Sequence, residues 1–295
     1  MKVLVTGRDG QVAQSLNELK KDHPHLELLF AARPDTDLSI SGSIAEAIET
    51  VRPEVVINAA AYTDVDRAED EPELAWRVNA AAAGEAALAA SAVGARIIQL
   101  STDYVFDGKK SEPYVETDPT NPQNVYGASK LGGEERVRSA NSRHLILRTS
   151  WVVSPFGRNF VKTIIGAAAS RDVLAVVEDQ RGRPTSALDL ARALVGIVDR
   201  WHGGDDVGLG ATYHVAGSDE ASWFDLAAAT MEECRRLGAP AAEIRPIGTS
   251  EWPTRASRPR NSVLDCSRCE RDFGFQLRPW REWLSAIVQR ILRGV

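Results

Sequence analysis

A tyrosine and a lysine stand four residues apart in the segment Tyr126-Gly127-Ala128-Ser129-Lys130. Residues at this spacing lie on one face of a helix, so both side chains can reach the same reacting group. A free phenol has a pKa of about 10, too high for an efficient acid–base group at neutral pH. A fixed ammonium beside it favours the phenolate and is expected to lower the pKa of Tyr126. Because the same spacing also occurs as an ordinary surface pair, the motif needs support from other residues.

A hydroxyl side chain upstream provides that support. Ser101-Thr102-Asp103 closes the predicted strand Arg96–Ser101, which we expect to lie beside the first strand. Ligands bind at the carboxyl ends of strands in parallel sheets of this kind. Thr102 can there donate a hydrogen bond to a carbonyl oxygen while Tyr126 supplies a proton. We therefore interpret Thr102, Tyr126 and Lys130 as the candidate catalytic residues.

A glycine turn follows the first predicted strand and opens a helix, in the segment Gly7-Arg8-Asp9-Gly10-Gln11-Val12-Ala13. Gly7 permits the sharp turn, Gly10 lets the backbone approach a pyrophosphate, and Ala13 keeps the helix close to the sheet. The free N–H groups of a helix N-terminus favour phosphate. A glycine pair alone is a weak signal, but its position on the first strand of a βαβ series favours dinucleotide binding.

The end of the second predicted strand bears on the choice of nicotinamide cofactor. An acidic residue there would bind the ribose hydroxyls of NAD, but Phe30-Ala31-Ala32-Arg33 contains none. Arg33 could pair with a 2′-phosphate or be a solvated loop arginine, and both interpretations stay open. The small residues after the third strand, Ala59 among them, would let a flat cofactor lie against the strand ends. The cofactor is thus predicted to be NADPH or NADH.

These groups need a scaffold, and the first half of the chain predicts one. Short β-branched runs alternate with alanine-rich helical runs, a pattern typical of a doubly wound, Rossmann-like parallel sheet. We predict a dinucleotide-binding domain at 1–150, to which the chain returns around 187–215. Residues 151–186 and 216–295 are then predicted to form mainly a smaller, C-terminal substrate-binding lobe. A continuous helix is expected at Pro72–Val93, and a loop rich in proline and arginine at Gly248–Asp265.

Composition limits the class of protein. The 295 residues are 43% hydrophobic and 26% charged, with a formal net charge of −6. That charge gives no electrostatic reason to expect nucleic acid or an anionic membrane as a partner. Charges interrupt every long apolar run, the first residues read as a strand, and three cysteines make a disulfide framework improbable. The sequence therefore predicts a cytoplasmic globular protein.

The motifs together resemble the extended short-chain dehydrogenases, and within them the dTDP-4-dehydrorhamnose reductase family. The block Ser101-Thr102-Asp103-Tyr104-Val105-Phe106 and the late Arg258-Pro259-Arg260-Asn261-Ser262 are specific to this branch. The resemblance runs in the family's order over nearly the whole chain, through Gly7–Ala13, Asn58–Asp66, Ser101–Gly108, Asn124–Lys130, Arg148–Trp151, Asp179–Gln180 with Gly182, Pro184 and Thr185, and Arg258–Ser262.

The resemblance implies roles for individual residues. Tyr126 would be the proton donor, Lys130 would orient it and hold the nicotinamide ribose, and Thr102 would tune the site. Further residues implied at the cofactor are Gly10, Gln11, Val12, Asp37, Leu38, Ala61, Tyr62 and Thr63. Those implied at the dTDP-sugar are Thr102, Asp103, Trp151, Arg258 and Asn261.

The implied activity is hydride transfer from NAD(P)H to the C4 keto group of a dTDP-4-keto-6-deoxy sugar, foremost dTDP-4-dehydrorhamnose to dTDP-L-rhamnose. Two alternatives remain: a related sugar-nucleotide epimerase or 4,6-dehydratase, and a non-catalytic protein like the regulatory subunit of methionine adenosyltransferase. A dehydratase commonly has Asp-Glu after the threonine, whereas this chain has Asp103-Tyr104.

One departure from the family pattern concerns metal. Members that bind magnesium at a dimer contact have two glutamates where this chain has Ser15 and, by motif spacing, Leu188. Neither side chain is a good ligand for a hard cation, although a shift of one residue would bring in Asp189. We therefore expect no metal at that contact, and a monomer or weak homodimer.

Overall fold

The computed structural model describes residues 1–294, so Val295, the last residue of the predicted lobe, lies outside them. Helices and strands follow one another along the chain in the order β1 (Lys2–Thr6), α1 (Gln11–Leu19), β2 (Glu27–Ala31), α2 (Ser43–Val51), β3 (Val55–Asn58), α3 (Val65–Asp70), α4 (Pro72–Trp76), α5 (Ala82–Ala92), β4 (Arg96–Thr102), α6 (Val125–Ala140), β5 (His144–Thr149), β6 (Val152–Val153), α7 (Phe160–Ala168), β7 (Val173–Val177), β8 (Arg181–Gly182), β9 (Thr185–Ser186), α8 (Ala187–His202), β10 (Ala211–His214), β11 (Ala221–Ser222), α9 (Trp223–Arg236), β12 (Glu243–Ile247), α10 (Ser267–Phe273) and α11 (Trp280–Arg293).

Six parallel strands form the central sheet, in the order β2-β1-β3-β4-β5-β10. Buried aliphatic residues line both faces because helices cover both, as a parallel sheet requires. Helices α1 and α8 pack together on one face, and α2 and α5 lie on the other. This arrangement confirms the predicted Rossmann-like class.

The strand order corrects one expectation. Strand β4, which carries Thr102, pairs with β3 and β5 and does not lie beside β1. The order of connection reverses between β1 and β3, and the crevice at such a reversal is where parallel sheets bind ligands. The glycine turn after β1 and the alanine run after β3 therefore border that crevice, one strand away from Thr102.

A smaller core lies beyond the sheet. Helices α7, α9 and α11 pack against the parallel pair β7 and β12. Trp280 and Trp283 are each 2% exposed within it, which confirms that the tryptophan pair is core packing. Helix α8 packs on α1, and β10 extends the main sheet beside β5. The functional division of the chain into a cofactor domain and a substrate lobe stays a prediction.

Several elements differ from their sequence predictions. The helix expected at Pro72–Val93 is broken by a π-helical turn at Arg77–Ala81. Helices α3 and α10 and strand β12 were not predicted; β12 contains Pro246, which argues locally against a strand. Two-residue strands replace parts of the connections expected to be irregular. No helix within residues 1–294 is both long and apolar enough to cross a membrane.

Candidate active site

Tyr126 lies in the first turn of α6, beside the end of β4. The Asn124 side chain caps this helix by accepting a hydrogen bond of 2.7 Å from the Gly127 N–H. The Thr102 hydroxyl lies close enough to the Tyr126 phenol to lower its pKa. Lys130, one turn further along α6, is 4% exposed, and its Nζ donates to the Leu100 carbonyl at 2.7 Å. The structure thus brings the three candidate catalytic residues together at the carboxyl edge of the sheet.

Glycines let α6 approach its neighbours closely. A Cβ atom at Gly127 would lie 2.2 Å from the Tyr104 carbonyl oxygen, and one at Gly133 would lie 2.2 Å from that of Asn79. Real Cβ atoms do not approach an oxygen so closely, so both positions require glycine. Without this approach, Tyr126 could not lie against Thr102.

Burial dominates the electrostatics of this group. It raises the pKa of Tyr126 to about 12, against a lowering effect from the Thr102 hydroxyl. It lowers the pKa of Lys130 to about 8, against a raising effect from the Glu134 carboxylate. The expectation that Lys130 lowers the pKa of Tyr126 is therefore wrong for the chain alone, because burial outweighs any such attraction and the ammonium points at a backbone carbonyl. At neutral pH the phenol keeps its proton.

Asp103 lies directly behind Thr102 and is 3% exposed. Its carboxylate accepts a hydrogen bond of 2.9 Å from the Thr102 hydroxyl. Burial raises the pKa of Asp103 to about 6, and the neighbouring hydroxyls of Ser262 and Thr102 oppose that rise. The arrangement fixes the orientation of the Thr102 side chain.

The glycine turn offers an uncapped helix N-terminus. Gly7 has a φ of +85°, a conformation that favours glycine. No side chain caps α1 at Gly10, no acidic residue occupies its first turn, and a Cβ at Gly10 would meet open space. Val12 is 9% exposed and belongs to the core beneath. The turn therefore has both the space and the free backbone donors that a phosphate needs.

Gln11 uses its side chain elsewhere. Its Nε2 donates to the Val152 carbonyl at 3.0 Å, and its Oε1 accepts from Ser154 and Asn159. The side chain ties α1 to the segment after β5, so only the backbone of Gln11 is available to a cofactor.

Two arginines lie near the end of β2, Arg33 just after the strand and Arg8 in the turn after β1. Arg33 is exposed, which leaves both interpretations open, and its carbonyl accepts a 3.5 Å hydrogen bond from the Arg8 guanidinium. Arg8 belongs to the glycine turn and was not singled out from the sequence. Asp37 binds the Ser39 N–H and hydroxyl, which lower its pKa, and Leu38 packs on the core beside α2.

A buried polar network supports the strand ends at the crevice. The Thr6 hydroxyl donates to Asn58 Oδ1 at 2.7 Å, and Asn58 Nδ2 donates to Gln99 Oε1 at 2.6 Å. The same threonine hydroxyl accepts the Ala60 N–H at 2.9 Å. These bonds hold the Ala59–Ala61 backbone, whose residues are half-buried, across the ends of β1, β3 and β4.

Asn79, in the π-helical turn, anchors the next part of that loop. It bonds both the N–H and the carbonyl of Tyr62, and its Nδ2 also donates to the Ser129 hydroxyl on α6. The Tyr62 phenol donates to Glu71, and burial with this contact raises the pKa of Tyr62 to about 12. Thr63 is exposed next to it. A polar residue in the middle of an alanine-rich helix was the sequence signal for Asn79, and sequence reasoning missed it.

Trp151 is held by aromatic stacking. Its backbone has a φ of +46°, and its ring lies 3.5 Å from that of Trp223 at an interplanar angle of 5°. A Cβ at Gly182 would lie 2.4 Å from the indole, so only glycine fits there. Trp151 therefore has one defined orientation, which a flat or ring-shaped ligand can use.

A cleft of about 700 Å³ is lined by loop residues around Lys110, Arg181 and Arg258. Trp151 and the three candidate catalytic residues are not among its lining residues. Arg258 lines it, but its guanidinium is bound to both oxygens of Asp66, at 3.0 and 2.6 Å. Asn261 also lines it, and its Nδ2 donates to the Lys110 carbonyl at 2.8 Å. Both side chains thus hold loops together at the cleft, a role that sequence reasoning did not anticipate.

Comparison with known proteins identifies the family of this chain. The model of the family described as "RmlD substrate binding domain" matches residues 1–293. The chain is 42% identical to a dTDP-4-dehydrorhamnose reductase of Sinorhizobium fredii over 292 residues, which cover 99% of this chain and 98% of that protein. The chain belongs to the RmlD family.

Solved structures agree with this assignment. A dTDP-4-dehydrorhamnose reductase from Clostridium acetobutylicum superposes with a TM-score of 0.90 at 37% identity, covering 99% of this chain and 100% of that one. A dTDP-4-dehydrorhamnose reductase from Bacillus anthracis in complex with NADP gives 0.87 at 32% identity, covering 97% and 98%.

In this member of the RmlD family, the three positions considered as magnesium ligands do not form a metal site. Ser15 is 1% exposed, and its hydroxyl donates to the Gln11 carbonyl at 2.9 Å. Leu188 packs on the main core. Asp189, the other candidate, is bound by Arg278 at 2.8 and 3.0 Å and by Arg192 at 2.9 Å. Two guanidinium groups therefore occupy the oxygens that a cation would need.

Proposed function

We propose that this chain is an NAD(P)H-dependent reductase of the C4 keto group of a dTDP-4-keto-6-deoxy sugar, converting dTDP-4-dehydrorhamnose to dTDP-L-rhamnose. The single observation that carries the proposal is the grouping of Thr102, Tyr126 and Lys130 beside the crevice at the ends of β1 and β3. Membership of the RmlD family and the similarity to dTDP-4-dehydrorhamnose reductases over the whole chain support it.

The cofactor fits the residues at the crevice. Its phosphates would bind the uncapped N-terminus of α1 at Gly7 and Gly10, and its nicotinamide half would lie along Ala59–Ala61 towards Tyr62 and Thr63. Asp37 and Leu38 border the end of the crevice where an adenine would lie. When bound, the nicotinamide supplies the hydride that reduces the carbonyl carbon.

Side chains of the protein supply the proton and stabilise the charge that develops. Tyr126 gives its phenolic proton to the carbonyl oxygen as the C4–H bond forms, so the product is an alcohol and the tyrosine is left as phenolate. A donor must carry its proton beforehand, and a phenol with a pKa of about 12 does so. The Lys130 ammonium stabilises the negative charge that develops on the oxygens. The Thr102 hydroxyl adds to this once its proton turns from Asp103 to the carbonyl oxygen of the substrate. Solvent then restores the phenol.

The cleft suits the nucleotide end of the substrate. Most cations along it are paired with carboxylates: Lys110 with Asp118, Arg181 with Glu220 and Arg258 with Asp66. The Arg260 side chain is 78% exposed, and its guanidinium approaches the Asp179 carboxylate no closer than 3.6 Å, beyond hydrogen-bond distance. Arg260 and Lys109, for which no salt bridge is found within residues 1–294, are therefore the cations of the cleft best placed to bind a diphosphate. Trp151 would face the sugar, and the buried Asp103 would act on it through Thr102.

A dehydratase is disfavoured because it needs a second acid–base residue after the threonine. This chain has Tyr104 there, and burial raises its pKa above the ordinary value, so the phenol stays protonated at neutral pH and cannot accept a proton. Because substrate and cofactor are both small, soluble molecules, we place the enzyme in the cytoplasm, without a membrane or nucleic acid as partner.

The proposal is tested by following NAD(P)H oxidation with a panel of dTDP-4-keto-6-deoxy sugars. We expect turnover with dTDP-4-dehydrorhamnose and, by NMR of the product, the L-rhamno configuration. Turnover of a different panel member would reassign the substrate. Cofactor binding without turnover of any member would overturn the proposal and favour a regulatory role like that of the methionine adenosyltransferase subunit.

A further inference from the structure

Two imidazoles and a carboxylate meet on the surface far from the crevice. His23 and His25 lie in the turn between α1 and β2, and Asp199 lies in the last turns of α8. Asp199 Oδ1 is 2.6 Å from His25 Nε2, and Asp199 Oδ2 is 3.5 Å from His23 Nδ1. One ligand atom from each of the three residues lies within 4.8 Å of the others. The turn precedes β2, so the cluster is at the amino edge of the sheet, opposite Tyr126.

The histidines of this chain are concentrated in one place. Three of the five histidines are here, since the His202 ring stacks on that of His25 at 5.8 Å. The other two, His144 and His214, are buried residues of strands β5 and β10 in the main sheet. The side chains of the cluster are partly open to solvent, with His23 28%, His25 43% and Asp199 33% exposed. A dissolved ion can reach them without any unfolding.

We propose that His23, His25 and Asp199 bind a divalent transition-metal ion such as Zn²⁺. Imidazole nitrogens with one carboxylate suit zinc and its neighbours better than magnesium or calcium, which prefer sets of oxygens. Zinc bonds of about 2.0–2.2 Å would hold neighbouring ligand atoms roughly 3.4 Å apart in a tetrahedral site. His25 and Asp199 Oδ1 have to separate by less than an ångström to reach that spacing, and His23 already has it from the other oxygen, Oδ2. A small turn of the carboxylate is therefore needed for one oxygen to serve both imidazoles.

The fourth position would be taken by water. The ion replaces the hydrogen bond between His25 and Asp199, and it joins the α1–β2 turn to the end of α8. Because the site lies at the opposite edge from Thr102 and Tyr126, binding is expected to raise thermal stability and leave the rate of sugar reduction unchanged. The expected absence of a metal concerned a different contact, that of Ser15 and Leu188.

The test is calorimetric titration of the tag-free, chelator-treated protein with Zn²⁺, and absorption spectroscopy with Co²⁺ as a coloured substitute. We expect one ion per chain, a rise in the melting temperature and a visible Co²⁺ band without the intense band that thiolate ligands produce. His25→Gln and Asp199→Asn should each weaken binding at least tenfold. Asp219→Asn, which changes an exposed aspartate in a different part of the chain, is the matched control and should bind like wild type.

Three outcomes would overturn the site. Zinc affinity that is the same in His25→Gln and wild type would place the ion elsewhere, and a thiolate band would place it at Cys266 or Cys269. No binding at a 1:1 ratio would leave the cluster as a hydrogen-bonded surface group. If a variant folds poorly, protection of His23 and His25 from diethylpyrocarbonate by Zn²⁺ in the wild-type chain decides the same question.

Discussion

Tyr126 is the residue whose chemistry is tested most directly. We expect Tyr126→Phe to lower kcat by about 10²–10⁴-fold, the usual contribution of a general acid, with cofactor binding retained. Tyr213→Phe is the matched control. It removes a buried phenol that donates to Asp272 at 2.9 Å and that has no part in the site. Steady-state rates within a few-fold of wild type for Tyr126→Phe would refute its role as proton donor.

Arg33 is the residue expected to affect the choice between NADPH and NADH. If it pairs with a 2′-phosphate, Arg33→Ala should lower kcat/KM for NADPH by about tenfold, the effect of one charge-assisted hydrogen bond, and leave NADH unaffected. Arg8→Ala should act in the same direction, because the two arginines lie together near the end of β2. Arg171→Ala, an exposed arginine on a distant turn, is the control. An equal change with both cofactors would make Arg33 an ordinary surface residue.

Helix α6 carries Tyr126 and Lys130, and substitution of its glycines tests whether its close packing is required. Gly133→Ala would place a Cβ 2.2 Å from the Asn79 carbonyl, so we expect a loss of about 1–3 kcal/mol in the free energy of unfolding. Gly166→Ala in α7 meets nothing within 4 Å, and the better helix propensity of alanine should add roughly 0.5–1 kcal/mol. Urea denaturation measures both. Similar values for the two variants would show that α6 tolerates a wider separation.

Most elements could be predicted from the sequence because their signals are local. The buried run at Val55–Asn58 and the helix at Ser43–Val51 have the predicted bounds. The π-helical turn at Arg77–Ala81 could not be predicted, since Asn79, although it stands out in the alanine-rich run, does not by itself reveal its distant partners. It forms where Asn79 turns inward to bind Tyr62 and Ser129, which come from other parts of the chain.

At the scale of the whole molecule, the prediction concerns metal and assembly. Because Asp189 is held by two arginines and Ser15 is buried, we expect no magnesium-dependent dimer through that contact. Activity should survive exhaustive EDTA treatment unchanged, and light scattering should give a monomer or weak dimer with and without EDTA. A dimer that dissociates on chelation would show that other residues bind the metal. Loss of an ion from the His23–His25–Asp199 cluster would lower the melting temperature alone.

The sequence by itself determined the fold class and the three residues proposed for catalysis. Strand and helix periodicities are local properties, and the pairing of Tyr126 with Lys130 needs only the pitch of one helix. Thr102 followed from its place at the end of a strand, whatever the strand's neighbours. For this reason the error over which strand lies beside β1 did not change the proposed site.

Tertiary structure alone decided the partners of the long polar side chains. Arg258 meets Asp66, 192 residues away, and His25 meets Asp199, 174 residues away. Gln11 is likewise engaged by the segment after β5. A side chain with several donors or acceptors has no preference for one distant carboxylate or carbonyl until the backbone brings one within about 3 Å. Which arginine remains free for a diphosphate, and which histidines meet, therefore depends on packing between distant segments.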